Sequence, residues 1–233
     1  MGLKAELVIV KPAPERLEFD KLIQDLGYPA GRVVGNSAYI DSGAGDLWIG
    51  ATDECLVIRT PFAGDFFVAE EVSNEDFGTF RNALIRHFHS NTVAVLYLNS
   101  VVDGWGFAVF QDGILLRRQY GFDGQIEGHE GARLPIEIDY LKGFNQRNVD
   151  GNVVYKDRSS PLSEELFEED LGTPLVIEMF RSLTGFPLEG REFAEMPGVD
   201  FWLNGKPRQH VPPSAERGLQ PSGDRRPWWR FWG

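Results

Sequence analysis

The sequence predicts an α+β fold, in which a largely antiparallel or mixed sheet with a β-meander packs against three to four helices. Three observations carry this. From Thr92 onward, short apolar runs follow one another across Asp-Gly breaks: Val93–Leu98, Trp105–Phe110 and Ile114–Tyr120. Asp-Gly between two β-rich runs favours a hairpin, because a type I′ turn needs positive φ at both central residues. Elsewhere apolar residues recur at helical spacing, as at Phe77, Phe80, Leu84 and Phe88. Strands and helices also come in separate groups, the pattern of α+β layers.

Taken in order, Lys4–Lys11 reads as a strand, Leu7-Val8-Ile9-Val10 flanked by charge and ended by Pro12 and Pro14. From Pro14 to Leu26 a helix is expected, with Leu17, Leu22, Ile23 and Leu26 on one side and Gly27 as its C-terminal stop. Leu47–Gly50 and Cys55–Ile58 form two strands around the turn Thr52-Asp53-Glu54. Ser73 opens a near capping box for the aromatic-striped helix. After the meander, a glycine-punctuated loop is expected through residues 124–137. Ser163 is expected to cap an acidic helix over Glu164–Leu171. Thr173-Pro174 starts another, striped by Ile177, Phe180 and Leu183 and closed by Gly185.

Composition and charge narrow the function classes. The 233 residues fit a single α+β domain over 1–203 followed by a tail over 204–233. Residues 1–203 carry 17 Lys/Arg and 33 Asp/Glu, net −16, whereas 204–233 carry six and two, net +4. A body this acidic repels phosphates and excludes duplex nucleic acid as its partner, while suiting a basic protein. No apolar run approaches the ~20 residues of a membrane helix. Nothing at the N-terminus resembles a signal peptide, and Glu6 occupies the position where a myristoylation motif needs Ser or Thr. A single cysteine, Cys55, lies inside an apolar run, which points to a reducing, cytoplasmic setting.

No phosphate loop, dinucleotide fingerprint or nucleophile elbow is present, and the residues imply no cofactor and no assigned metal site. His87 and His89 flank Phe88 at a helix end, where two positions apart place them on different sides, so a structural role is expected. His129 lies in Glu127-Gly128-His129-Glu130-Gly131, which could supply an acid/base group or a ligand, or simply be a polar loop. Asp41 and Asp46 bracket a Ser-Gly-Ala-Gly stretch. Glu137 and Asp139 would share a face if Pro135–Tyr140 were extended. Asp103, Glu127, His129 and Glu137 are therefore the candidate catalytic residues of a carboxylate-based hydrolase-type enzyme, working with or without a divalent metal.

The tail offers the other reading. It is rich in Pro, Gly and Arg, yet ends Arg225-Arg226-Pro227-Trp228-Trp229-Arg230-Phe231-Trp232-Gly233. Trp228, Trp229, Arg230, Phe231 and Trp232 are candidate binding residues, able to anchor on a partner, an anionic surface or the chain's own body.

The start Met1-Gly2-Leu3-Lys4, the segments Ser100-Val101-Val102-Asp103 and Phe107–Gly113, Gln125-Ile126-Glu127 through Leu134-Pro135-Ile136-Glu137, and Thr184–Gly190 together resemble an uncharacterised family of bacterial proteins. Gly104 before Trp105 departs from the large aromatic that the family places there. The resemblance implies a soluble bacterial single domain and carries no catalytic residue across. Two functions are thus expected: a non-catalytic interaction protein with an acidic body, or the hydrolase using the 124–137 loop.

Overall fold

The structure, a computed structural model, describes residues 4–26, 28, 30–39, 45–67, 77–150, 152–160 and 163–204. Among them, eleven strands and five α-helices follow in the order β1 (Lys4–Lys11), α1 (Phe19–Asp25), β2 (Ala30–Ala38), β3 (Leu47–Ala51), β4 (Leu56–Arg59), α2 (Phe77–His87), β5 (Thr92–Asn99), β6 (Gly104–Gln111), β7 (Ile114–Phe122) and β8 (Gln125–Glu130). Then come α3 (Pro135–Leu141), β9 (Phe144–Val149), β10 (Asn152–Asp157), α4 (Gly172–Thr184), α5 (Arg191–Ala194) and β11 (Pro197–Asn204). Nine strands form one antiparallel sheet in the order β2-β11-β3-β4-β1-β5-β6-β7-β8, and β9–β10 make a separate hairpin.

Both faces of the central strands are covered, which is why β1, β5 and β6 read as continuous apolar runs rather than alternating ones. Val8, Val10, Val93 and Val95 meet Leu22 and Ile23 of α1, Phe66 of the 3-10 turn Pro61–Phe66, and Phe80 and Leu84 of α2. On the other face Leu7, Ile9, Leu96 and Phe107 meet Leu175, Val176, Met179 and Phe180 of α4 and Phe193 of α5. Trp105 of β6 reaches the first residue of α4 so closely that a Cβ on Gly172 would stand 1.9 Å from the indole. Only glycine admits that approach.

The meander is as expected, and its turns sort into two kinds. Asp112-Gly113 and Asp123-Gly124 both have positive φ, at 51° and 77° and at 50° and 69°, the type I′ signature. At the first break, Gly104 already belongs to β6, and Asp103 alone takes φ of 47° at the end of a four-residue loop.

Several expectations need correction. The first helix is shorter, confined to Phe19–Asp25. Residues 125–130 are not loop but the edge strand β8, and 135–141 are helical rather than extended. Proline at the first position of α3 starts that helix well. The acidic segment 164–171 is not an α-helix: Tyr155 and Leu166 exchange backbone hydrogen bonds of 2.8 and 2.9 Å, and only a 3-10 turn, Glu169–Leu171, follows. Its carboxylates are drawn outward, Glu165 to Arg147 and Glu168 to Arg133. α4 begins at Gly172, so Pro174 is its third residue, and it buries Leu175, Val176, Met179, Phe180 and Thr184. Of the expected stripe only Phe180 is fully buried, because contact between Gly172 and Trp105 sets the rotation of the helix. Gly185 closes α4 with φ of 80°. Gly27, Ser73, Asp41 and the aromatic tip Trp228–Trp232 lie outside the described residues.

Candidate functional site

The four candidate catalytic residues take different places. Asp103 is exposed in the β5–β6 loop. Along β6, Phe107 pairs with Gln119 and Val109 with Arg117. Asp103 therefore lies about 20 Å along the strand from the level of Arg117, at roughly 3.3 Å per residue. Glu127 and His129 are exposed on β8, where His129 pairs with Gln119 and Glu127 is the extra residue of a bulge.

Glu137 is the carboxylate that the fold encloses, and it is fully occupied. Arg117 Nε donates to both of its carboxylate oxygens at 3.1 Å, and Nη2 donates to Oε1 at 3.0 Å. The same guanidinium donates to the Gly131 carbonyl at 3.1 Å and to Gln119 Oε1 at 2.6 Å. Glu137 Oε2 also accepts the Leu134 backbone N–H at 2.7 Å, capping α3. Side chains of the pair are 4% and 2% exposed, beside Phe107. A buried ion pair persists when its remaining donors and acceptors are satisfied, and here they are. Glu137 holds α3 onto the sheet. Asp139, on another side of α3, is exposed and bonded to Lys142.

The histidine reading holds at the α2 end. His87 Nδ1 lies 2.7 Å from Asp25 Oδ2, tying α2 to α1, while His89 Nδ1 meets the Arg86 carbonyl at 3.2 Å. Asp46, one of the bracketing carboxylates, accepts the Leu203 N–H at 2.8 Å and so anchors β11. Among the described residues, no group of three or more His, Cys, Asp or Glu is placed to hold a metal ion.

Sequence reasoning missed a different place. A pocket of about 430 Å³ opens between α3 and the β9–β10 hairpin. Ile138, Leu141 and Phe144 line it with apolar surface, and Gln146, Arg133, Lys142 and Arg158 add polar groups, three of them cations. A small third core fixes its walls: Leu141, Tyr155 and Leu171 are buried, with the Tyr140 and Phe144 rings tilted against each other at 5.4 Å. Arg133 donates to Glu168 at 2.7 Å and to the Tyr155 hydroxyl at 3.4 Å. Burial works against the Arg133 charge, but these two partners outweigh it and raise its pKa above the ordinary arginine value. Lys142 donates to Asp139 at 2.6 Å. Arg158 differs: Nε donates to the neutral Asn145 Oδ1 at 3.1 Å, and its backbone N–H to the Gly143 carbonyl at 3.0 Å. Among the described residues, no carboxylate lies within ion-pair distance of its guanidinium. A signal was available in the sequence, since Asp150-Gly151 predicts the hairpin that carries Phe144, Gln146 and Arg158 together.

A second buried charge lies at the other end of the sheet. Ser37 Oγ donates to Asp200, and Arg59 Nη2 stands 3.8 Å from the same carboxylate. Burial pushes up the pKa of Glu6 and of the Tyr39 hydroxyl, against the lowering effect of Arg59 on both. The outer strand at that end, β2, leaves Val33 and Val34 exposed, and Trp202 of the adjoining β11 is exposed beside them.

Compared with known proteins, the chain matches no family model, no curated protein and no solved structure, so the functional reading rests on the site geometry itself. No helix among the described residues is long and apolar enough to cross a membrane.

Proposed function

We propose that the protein is a non-catalytic interaction protein of the bacterial cytoplasm, whose acidic body engages a basic protein partner. The observation that carries this reading is the fate of Glu137. It is one of the four candidate catalytic residues, and its oxygens are taken up by Arg117 and by the cap of α3. Asp103 lies about 20 Å along the strand from the level of Arg117, the partner of Glu137. What remains is a body of net −16 with its carboxylates spread over the surface, a distribution that steers a cationic partner rather than one that concentrates reactivity. The fully buried Cys55 suits a reducing compartment. Trp228, Trp229, Phe231 and Trp232 supply the aromatic anchors of the contact, with Arg230 among them as a charged one.

The second reading, carboxylate-based hydrolysis with or without a divalent metal, keeps Glu127 and His129, which are exposed together on β8. Affinity capture with the full chain as bait in the host lysate separates the two. The interaction reading predicts stoichiometric retention of a basic protein, released as salt screens the charges, and weakened by Trp228→Ala with Trp232→Ala. Capture of nothing, together with a hydrolytic turnover abolished by Glu127→Gln or His129→Gln, would replace it with the second reading.

A further inference from the structure

We infer that the pocket between α3 and the β9–β10 hairpin binds a small organic oxyanion, a carboxylate or phosphate carried on an apolar body. The charge pattern comes first. This body is net −16, and its described cations are mostly matched one to one with carboxylates. Three cations nonetheless line one concavity, and Arg158 enters it with only an amide oxygen on Nε. The two terminal nitrogens of a guanidinium form a planar fork that fits a carboxylate or phosphate in two parallel hydrogen bonds. Lys142 lines the same concavity and is a flexible donor bound only to an exposed carboxylate, so it can turn to share an incoming anion.

Geometry and apolar surface supply the rest. Asn145 and the Gly143 carbonyl hold Arg158 at both its side chain and its backbone, so little ordering remains for a ligand to impose. Ile138 is 48% exposed although it lines the pocket beside Phe144. That surface favours a ligand with an aromatic or aliphatic body over a bare inorganic anion. At about 430 Å³ the space falls within the roughly 300–1,000 Å³ of small-molecule sites. The inference is independent of the protein partner proposed above, since the ligand is a small anion and not a basic protein.

The test is a titration of the ¹⁵N-labelled full chain at low salt, following amide shifts, with phenyl phosphate and benzoate as probes. Inorganic phosphate and benzylamine serve as comparison ligands, and Arg158→Gln and Lys142→Gln as variants. Shifts confined to residues 133–158 are expected with at least one organic anion, and which one responds identifies the head group. Binding should weaken about tenfold or more in Arg158→Gln and less in Lys142→Gln, as expected for loss of a charged hydrogen bond. Inorganic phosphate should bind more weakly than phenyl phosphate, and benzylamine should leave the pocket unshifted. The inference is overturned if no anion shifts the pocket up to about 10 mM. It is equally overturned if both variants, each retaining a native spectrum, bind as the parent does, or if benzylamine binds as well as the anions.

Discussion

Helix α3 joins two arginines in opposite circumstances. At its first turn Glu137 meets Arg117 in a buried pair, and the same guanidinium also reaches the buried Gln119 amide and the Gly131 carbonyl. At its far end Leu141 and Lys142 line an open pocket, where Arg158 carries a charge that no described carboxylate neutralises. The difference teaches how to divide the same residue types between fold and function. A buried charge is tolerated only when its partners are complete, so it becomes part of the scaffold. A charge left at the surface in an apolar concavity, within a protein of the opposite sign, is available to a ligand.

The contrast can be broken most severely at the buried side. Glu137→Ala should destabilise the protein by about 3–5 kcal/mol, because Arg117 is left buried without its carboxylate and α3 loses its cap. Chemical denaturation measures this directly. A buried neutral group gives the next effect. Burial pushes the Tyr97 hydroxyl up to about 12 from an ordinary 10, with the neighbouring Asn99 side chain working against the rise. The unfolded chain thus releases this proton first as pH rises, and the stability tied to the neutral form is present below pH 10 and lost towards pH 12. Two pH units correspond to about 2–3 kcal/mol, so alkaline denaturation of Tyr97→Phe should show a correspondingly shallower loss of stability.

Packing without charge comes third. Gly172→Ala puts a methyl group into Trp105 and should cost about 1–3 kcal/mol, with a change in near-UV circular dichroism as the indole moves. On the open side the expected effect nearly vanishes. Arg158→Gln should leave stability within about 0.5 kcal/mol, the usual range for a surface substitution. A large loss there would make Arg158 a second structural arginine and erase the contrast.

Legibility in the sequence followed how local each signal was. The central strands were readable from their apolar runs, and Asp112-Gly113 announced its hairpin through two residues that need positive φ. The same rule applies to Asp123-Gly124 and to Asp150, but the runs beside them are polar, so β8 reads as loop and the β9–β10 hairpin gives no local signal beyond its turn. β2 and β11 carry glycines and polar residues and are held by pairing across more than 150 positions of sequence, a contact that local pattern does not reveal. The acidic run 164–171 reads as a helix capped by Ser163, whereas Leu166 exchanges its backbone bonds with Tyr155. For the site, residue type misled: carboxylates near a histidine suggested chemistry, whereas the decisive fact about Glu137 is an arginine twenty residues earlier. The pocket needs Arg133 and Lys142 to meet Arg158, and although Asp150-Gly151 signals the hairpin, no local pattern places it against α3.

The most direct measurement is a double-mutant cycle on the buried pair, using Arg117→Met, Glu137→Leu and the two combined, with stability read by denaturant unfolding. If Glu137 serves the scaffold, each single change costs several kcal/mol and the double costs far less than their sum, a coupling of about 2 kcal/mol or more. Additive losses, or a Glu137→Leu protein as stable as the parent, would contradict that role and return Glu137 to the list of residues free to do chemistry.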